Sequence, residues 1–517
     1  MFSHKIFFLI VIVLAVATAV FSQKAADKFA SGEVLVKLSA GSSSGRATEG
    51  LKKRGAEAVE EFADLDWQRL KLPKGMSVED AMKRFSSVPG VEAVQPNFYY
   101  HLLATPNDPQ FSNAGMYGLG KISAPQAWDL TAGSPAVVVA NIDTGVRYTH
   151  EDLAANMWKN PGEIPNNGID DDSNGFVDDY YGYDFFFNDP DPVDENGHGT
   201  HTSGIIGAVG NNGVGVVGVN WNVRIMAIKI YDSDGFGTTS AMLINAYNYV
   251  RMMKDRGVNI RVTNNSYGGC DEACDYDQAT KDALDAMGDE GILNVFAAGN
   301  EASNNDITPA YPASYTSPSI VAVANSNSSD AKNPGSNFGV ESVDLAAPGT
   351  GILSTFNGSN SSYGTLTGTS MAAPHVTGAA ALLSAYDQSL SAASLKASIL
   401  NNVDTLPNWN GVVKTGGRLN VFKALQNPTV CTFGLSTQSV VAGTKGGYFS
   451  VDLNAQPNCD YSIKRNVNWI QISGQDVRSG SGTVTVRLTV ITTITRTGTL
   501  FVAGQPVTIR QTRGENF

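Results

Sequence analysis

Three residues whose types together cleave acyl bonds stand at the ends of apolar runs. Asp143 closes "AVVVANID", His198 opens the glycine-rich "HGTHTSGIIGA", and Ser370 opens "TSMAAPHVTGAAALL". A serine hydroxyl is a weak nucleophile until a base takes its proton, and an imidazole does this best when a carboxylate orients it. The serine helix is shaped for display. Small residues flank Ser370, and Pro374, four residues on, deletes the helical hydrogen bond due to the Ser370 carbonyl. The positive end of that helix also favours a developing oxyanion. A rival chemistry is metal binding by His198 and His201 in "HGTH", but no Cys or Glu partner completes a zinc set. An inactive binding protein keeping the same fold is argued against by the intact Asp, His and Ser.

Such residues must be held by strands and helices, and the chain from about 105 to 427 supplies them. The runs "AVVVANID", "RIMAIKIY", "IRVTNNSYG", "ILNVFAAGN" and "SIVAVANS" alternate with helical stretches. This is the pattern of an α/β fold, a mostly parallel sheet with helices on both faces. Ligands gather at the carboxyl ends of such strands, where Asp143, Ser266 and Asn300 fall. Residues 23–104 read as a small α+β domain. Its strands are "GEVLVKL" and "VEAVQPNFYY", and Ser77, three residues before Asp80, caps a helix through "EDAMKRF". Residues 428–517 show no helical pattern. "GTVTVRLTV", "GTLFVA" and "PVTIRQ" alternate with period two, which predicts an antiparallel sandwich of about seven strands, immunoglobulin-like by the resemblance given below. That segment is basic, with eight Lys/Arg against four Asp/Glu, on a chain of net charge −13.

The acidic balance argues against a nucleic-acid partner. Near the start, Lys5 precedes "IFFLIVIVLAVATAV" and then small residues, with Ala17-x-Ala19 or Val20-x-Ser22 as cleavage sites. The run is shorter than the roughly 20 residues a membrane span needs. Residues 1–22 therefore read as a signal peptide, and the product as secreted with no membrane span after processing. Export permits disulfides, and of the three pairings open to four cysteines, locality favours Cys270–Cys274 and Cys431–Cys459.

A metal signature sits in "NGIDDDSNGFVDDYYGYDF". Asp170, Asp172, Asn174 and Gly175 match the opening of a calcium loop, and Asp178 or Asp179 replaces the missing terminal Glu. Oxygen ligands at this density suit calcium rather than zinc.

"IDTGV", "NGHGTH" and "GTSMAAPHV", in this order, resemble the active-site motifs of the subtilisin-like serine proteases. The resemblance covers about 105–427 and implies a secreted serine endopeptidase with Asp143, His198 and Ser370 as its triad and Asn300 as oxyanion donor. It implies that peptide substrates pair with Ser266, Tyr267 and Gly268 on one side and with Gly235, Phe236 and Gly237 on the other. Ala310 then floors the first specificity pocket, with Glu301 at its rim. Asp152 and Asn212 match ligands of a structural calcium. Residues 23–104 look like the family's inhibitory prodomain, which acts on its own enzyme and ends in the cleft, so the mature chain is expected to begin between His101 and Asn107. Residues 428–517 resemble the small bacterial modules called BACON, which are associated with carbohydrate or surface contact.

Overall fold

The computed structural model describes residues 29–39, 42–98, 105–268, 276–491 and 495–512. The expected signal peptide, the Cys270–Cys274 pair and the first four residues of the expected cleavage segment lie outside them. The chain forms two compact units that part between Leu102 and Leu103.

In the first unit four antiparallel strands stand in the order Glu57–Phe62, Trp67–Lys71, Phe29–Leu38, Val91–Phe98. Alternation sets the core. Val34, Val36 and Leu38 point inward from one strand, and meet Leu51 of the helix Ser42–Lys53 and Phe85 of the helix Val78–Phe85. Ser77 caps the second helix, its hydroxyl accepting from Asp80 N at 3.1 Å.

The second unit is organised by a nine-stranded sheet. Its order is Asp404–Thr405, Gly417–Arg418, Leu345–Pro348, Ile320–Ser326, Leu293–Ala297, Ile260–Asn265, Gly133–Asp143, Asn222–Lys229, Gly182–Asp184. Every pairing is parallel except that of the edge strand Asp404–Thr405. Buried strands read as unbroken apolar runs, yet the pleat still sorts them by face. Val137 and Val139 join one cluster with Val376 and Leu383 of the helix Thr369–Tyr386. Val138 and Ala140 join another with Tyr247 and Val250 of the helix Ser240–Asp255 and Leu284 of Gln278–Asp289. Helices thus cover both faces, and the polar strand ends emerge along one edge.

Beyond residue 428 the described residues contain strands and no helix. They form two sheets, Gly434–Leu435, Gly447–Asn454, Gly482–Leu488, Ile470–Ile472 and Ser439–Gly443, Gln505–Thr512, Thr495–Val502, Asp460–Arg465, Val477–Ser479. Val451 and Val484 of the first sheet share one apolar cluster with Leu500 and Ile509 of the second. The wholly antiparallel arrangement expected from alternation is corrected here. Ser439–Gly443 runs parallel to Gln505–Thr512, and there are nine short strands rather than about seven. Cys431 and Cys459 are disulfide-bonded. This region is fastened to the helix Ala392–Leu400 and its cap by the buried pair Lys396–Asp460 at 2.7 Å and by Asn401 Nδ2 donating to Pro457 O at 3.1 Å.

Candidate active site

Asp143 is the last residue of the strand Gly133–Asp143 and is buried. His198 is the first of the helix His198–Gly207, which enters from Gly197 at φ +108°. Gly199 is what lets this helix approach, because a Cβ there would lie 2.1 Å from the Gly145 carbonyl oxygen and 3.1 Å from Asp143 Cβ. The result is a contact of 2.7 Å between His198 Nδ1 and Asp143 Oδ1. The carboxylate is held from two further sides, by Thr144 N at 2.8 Å on Oδ1 and by Thr202 Oγ1 at 3.1 Å on Oδ2. Burial works against the imidazolium, but the Asp143 charge and hydrogen bond outweigh it, and Asp194 adds to them, so His198 titrates above its ordinary value.

Ser370 is the second residue of the helix Thr369–Tyr386. Pro374 cannot donate to its carbonyl, and the vacancy is filled from outside the helix. Ser266 Oγ donates to Ser370 O at 2.9 Å, while Ser370 Oγ donates to Ser266 O at 3.2 Å. Among the described residues no hydrogen bond joins Ser370 to His198. Freed of its own helical partner, this first turn is instead clamped to the end of the strand Ile260–Asn265, which carries Ser266 on.

Asn300 is oriented by logic that needs no choice of rotamer. Its Oδ1 accepts from the Thr369 backbone N–H at 2.9 Å, which can only donate, and from Thr369 Oγ1 at 3.1 Å. The Nδ2 donors therefore face away and have no partner among the described residues. A Cβ on Gly368 would lie 3.6 Å from Ser370 N and 3.7 Å from Asn300 Nδ2, so both donors border the small space above that glycine. Beside them is a cavity of about 170 Å³ lined by Ser266, Tyr267, Gly268, Asn300, Ala310 and Ser370. Glu301 also lines it, its Oε2 held by Asn337 Nδ2 at 2.8 Å. Gly235, Phe236 and Gly237 do not line this cavity. They form a turn in which Asp232 Oδ1 accepts from Phe236 N at 2.8 Å, leaving Phe236 71 % exposed.

The acidic loop converges differently from its motif. Ligand oxygens of Glu163, Asp172 and Asp179 lie within 4.8 Å of one another. Glu163 Oε2 and Asp172 Oδ1 are buried without a hydrogen-bond donor, Asp172 facing Arg256 at 3.2 Å. Burial raises Asp179 to about 6, against the hydrogen bonds it accepts from Tyr249, Asn160 and Asn174. Asp178, at φ +55°, is buried against the neighbouring turn and accepts from Asn167 N and Gly168 N at 3.0 and 2.8 Å. Asp170 accepts from Asn174 N and Gly175 N at 3.0 and 2.8 Å, and Asn174 Nδ2 donates to Asp179 at 2.9 Å. The converging set thus contains Glu163, which the motif does not mark.

Asp152 and Asn212 are also together, with Asn212 Nδ2 donating to Asp152 Oδ1 at 2.7 Å. Burial raises Asp152 to about 6. Asp108, within "TPNDP", joins this region by accepting from Asn211 N and Asn212 N at 2.7 and 3.3 Å. In the sequence reading the expected mature start falls just before Asp108, and that residue has no role.

Comparison with known proteins agrees with this architecture. The subtilase family model matches residues 134–427, and the fervidolysin N-terminal prodomain model matches 15–97. Thermitase of Thermoactinomyces vulgaris is 38 % identical over 322 residues, 62 % of this chain and 99 % of that protein. A thermophilic serine proteinase of Bacillus sp. (strain AK1) is 34 % identical over 397 residues, 77 % of this chain and 88 % of that protein. The extracellular basic protease of Dichelobacter nodosus is 34 % identical over 365 residues, 65 % of this chain and 57 % of that protein. The chain belongs to the subtilase family, as a subtilisin-like serine endopeptidase carrying a prodomain.

Proposed function

We propose that this protein is a secreted, self-processing endopeptidase that cleaves peptide bonds through Asp143, His198 and Ser370. The observation that carries the reading is the 2.7 Å contact of a buried carboxylate with an imidazole at one helix start, beside a second helix start that presents a serine. In this reading a peptide binds, the Ser370 hydroxyl leaves the Ser266 carbonyl, and His198 Nε2 takes its proton as Oγ attacks the scissile carbonyl. Asp143 fixes the proton on Nδ1 and stabilises the imidazolium. The tetrahedral oxygen lies between Ser370 N and Asn300 Nδ2. His198 then protonates the leaving amine, an acyl-enzyme remains on Ser370, and water activated by the same imidazole releases it.

Substrate pairs as an added strand against Ser266–Gly268 and the Gly235–Gly237 turn, and Ala310 leaves room for a large apolar side chain. Glu301 at the rim accommodates a basic one. Residues 23–104 act as inhibitory prodomain, and the mature chain begins between His101 and Asn107. Residues 428–517 form an immunoglobulin-like module for carbohydrate or surface contact. Calcium is held by Glu163, Asp172 and Asp179 with Asp170, Asn174 and Asp178 shaping the loop, and by Asp152 with Asn212 and Asp108. It supplies charge neutralisation and stability, not chemistry. Fit is supported by Glu163 Oε2, a buried carboxylate oxygen of the first set without a hydrogen-bond donor.

The test is Ser370→Ala. It should yield a folded precursor that does not mature, with activity down on the order of 10⁶, the scale known for subtilisin itself. Normal maturation of the purified variant, with no protease added, would contradict self-processing.

A further inference from the structure

We propose that Asp194 is a positioning residue of the active site, tying the Asp143 strand to the His198 helix and offsetting that helix's positive end. Its side chain is buried and accepts five hydrogen bonds. Oδ1 takes Thr144 Oγ1 at 2.9 Å, Asn196 N at 2.9 Å and Gly197 N at 2.8 Å. Oδ2 takes Thr200 N at 2.8 Å and Thr200 Oγ1 at 2.6 Å.

Three of these donors are backbone N–H groups, which can only donate. Thr144 Oγ1 and Thr200 Oγ1 each also accept a backbone N–H, from Gly199 and Arg147 at 2.9 Å, and their protons point to Asp194. Burial pushes Asp194 above its ordinary value, and the hydrogen bonds from Gly197 N, Thr200 and Thr144 act against that by favouring the carboxylate. Thr144 follows Asp143 directly, and Gly197 and Thr200 bracket His198 along the chain. One buried anion therefore sets the entry angle of the imidazole and the strand end that carries its partner.

The charge has a second consequence. His198 sits on the first turn of a helix, where the peptide dipoles oppose a positive side chain. A proton on this imidazole is nevertheless what catalysis demands midway through the reaction. Asp194 caps the same turn with a negative charge and removes that conflict. The other ionisable groups nearby leave it this role. Asp143 is the direct partner. His201 is kept neutral by burial, at about 4, and Tyr231 is neutral, at about 12. Lys229, which pairs in register with Asp143, is matched by Asp184 at 3.0 Å and Glu195 at 3.2 Å.

The inference rests on the triad reading, and its test separates the two. In the matured enzyme, Asp194→Asn removes the charge and one acceptor, whereas Thr144→Val removes the two bonds of the Thr144 hydroxyl, to Asp194 and from Gly199 N, and leaves the charge. Asp194→Asn should lower kcat on the order of 10²-fold, the cost of misplacing a catalytic group by about 1 Å. KM should hardly change, and the acid limb of kcat/KM should move to lower pH, because losing an anion makes His198 easier to deprotonate. Thr144→Val should lower kcat less and leave the acid limb in place. A folded Asp194→Asn enzyme with the limb unmoved would overturn the electrostatic role. Unchanged kcat in Thr144→Val would overturn the tie, and this decides that point even if Asp194→Asn does not fold. Failure of the triad reading would appear elsewhere, as activity surviving in Ser370→Ala.

Discussion

The two helices that bring residues to the cleft start alike and are capped oppositely. Each enters from a glycine, Gly197 or Gly368, and each has its key side chain in the first turn. The His198 helix is capped by a carboxylate, Asp194, whereas the Ser370 helix is met by a neutral amide, Asn300 accepting from Thr369 N. Both helices point a positive end at the chemistry. In the proposed mechanism positive charge develops at His198, so an anionic cap helps. In the same mechanism negative charge develops at Ser370, and an anionic cap would cancel the field that stabilises it. The Asn300 amide satisfies the helix with its oxygen and leaves its nitrogen free for that proposed oxyanion. Cap identity thus follows the sign of the charge each helix start must tolerate.

Swapping charges tests this directly. Asn300→Asp keeps an oxygen for Thr369 and replaces the outward donor with negative charge. It should cost more kcat than Asn300→Ala, measured under the same conditions by steady-state kinetics. Asn300→Ala should itself lose on the order of 10²–10³ in kcat with little change in KM, the scale of the corresponding donor in subtilisin. If Asp and Ala at 300 prove equal, the sign argument fails; if only KM rises, Asn300 merely binds substrate. A smaller contrast lies in the pH profiles. Asn300→Ala is neutral for neutral and should leave the acid limb where it is, unlike Asp194→Asn. Smallest in catalysis is calcium removal. The acidic loop holding Glu163, Asp172 and Asp179 makes none of the hydrogen bonds of either helix start, so chelation should lower the melting temperature while the surviving folded enzyme keeps its kcat. An unchanged melting temperature in chelator and in calcium would reject both proposed metal sites.

Much of this is legible in the sequence, for physical reasons that also mark the limits. Strands of a parallel sheet buried on both faces appear as apolar runs, and their polar terminators, Asp143, Ser266 and Asn300, appear as interruptions. The Ser77 cap and the Cys431–Cys459 bridge are short-range or local, and the chain shows them directly. Strand direction is different. Period-two alternation is the same for parallel and antiparallel neighbours, so the parallel pairing of Ser439–Gly443 with Gln505–Thr512 is invisible until the fold is known. Asp194 shows the same limit at the site. It reads as one acid among several before "NGHGTH", and its weight comes from Thr144, fifty residues earlier. Likewise the motif cannot decide between Asp178 and Asp179, because Asp178 is taken up by the backbone of Asn167 and Gly168 while Asp179 converges with Glu163 and Asp172.

Beneath the comparison lies one claim, that the helix starting at Thr369 displays the nucleophile and the helix starting at His198 supplies its base. Covalent labelling of the mature enzyme with a serine-reactive phosphonate, followed by mass spectrometry of its peptides, tests this most directly. The account predicts one adduct, on Ser370, formed in step with loss of activity, slowed by His198→Ala and indifferent to a zinc chelator. An adduct on another residue, or full inactivation by the chelator with Ser370 unlabelled, would contradict it.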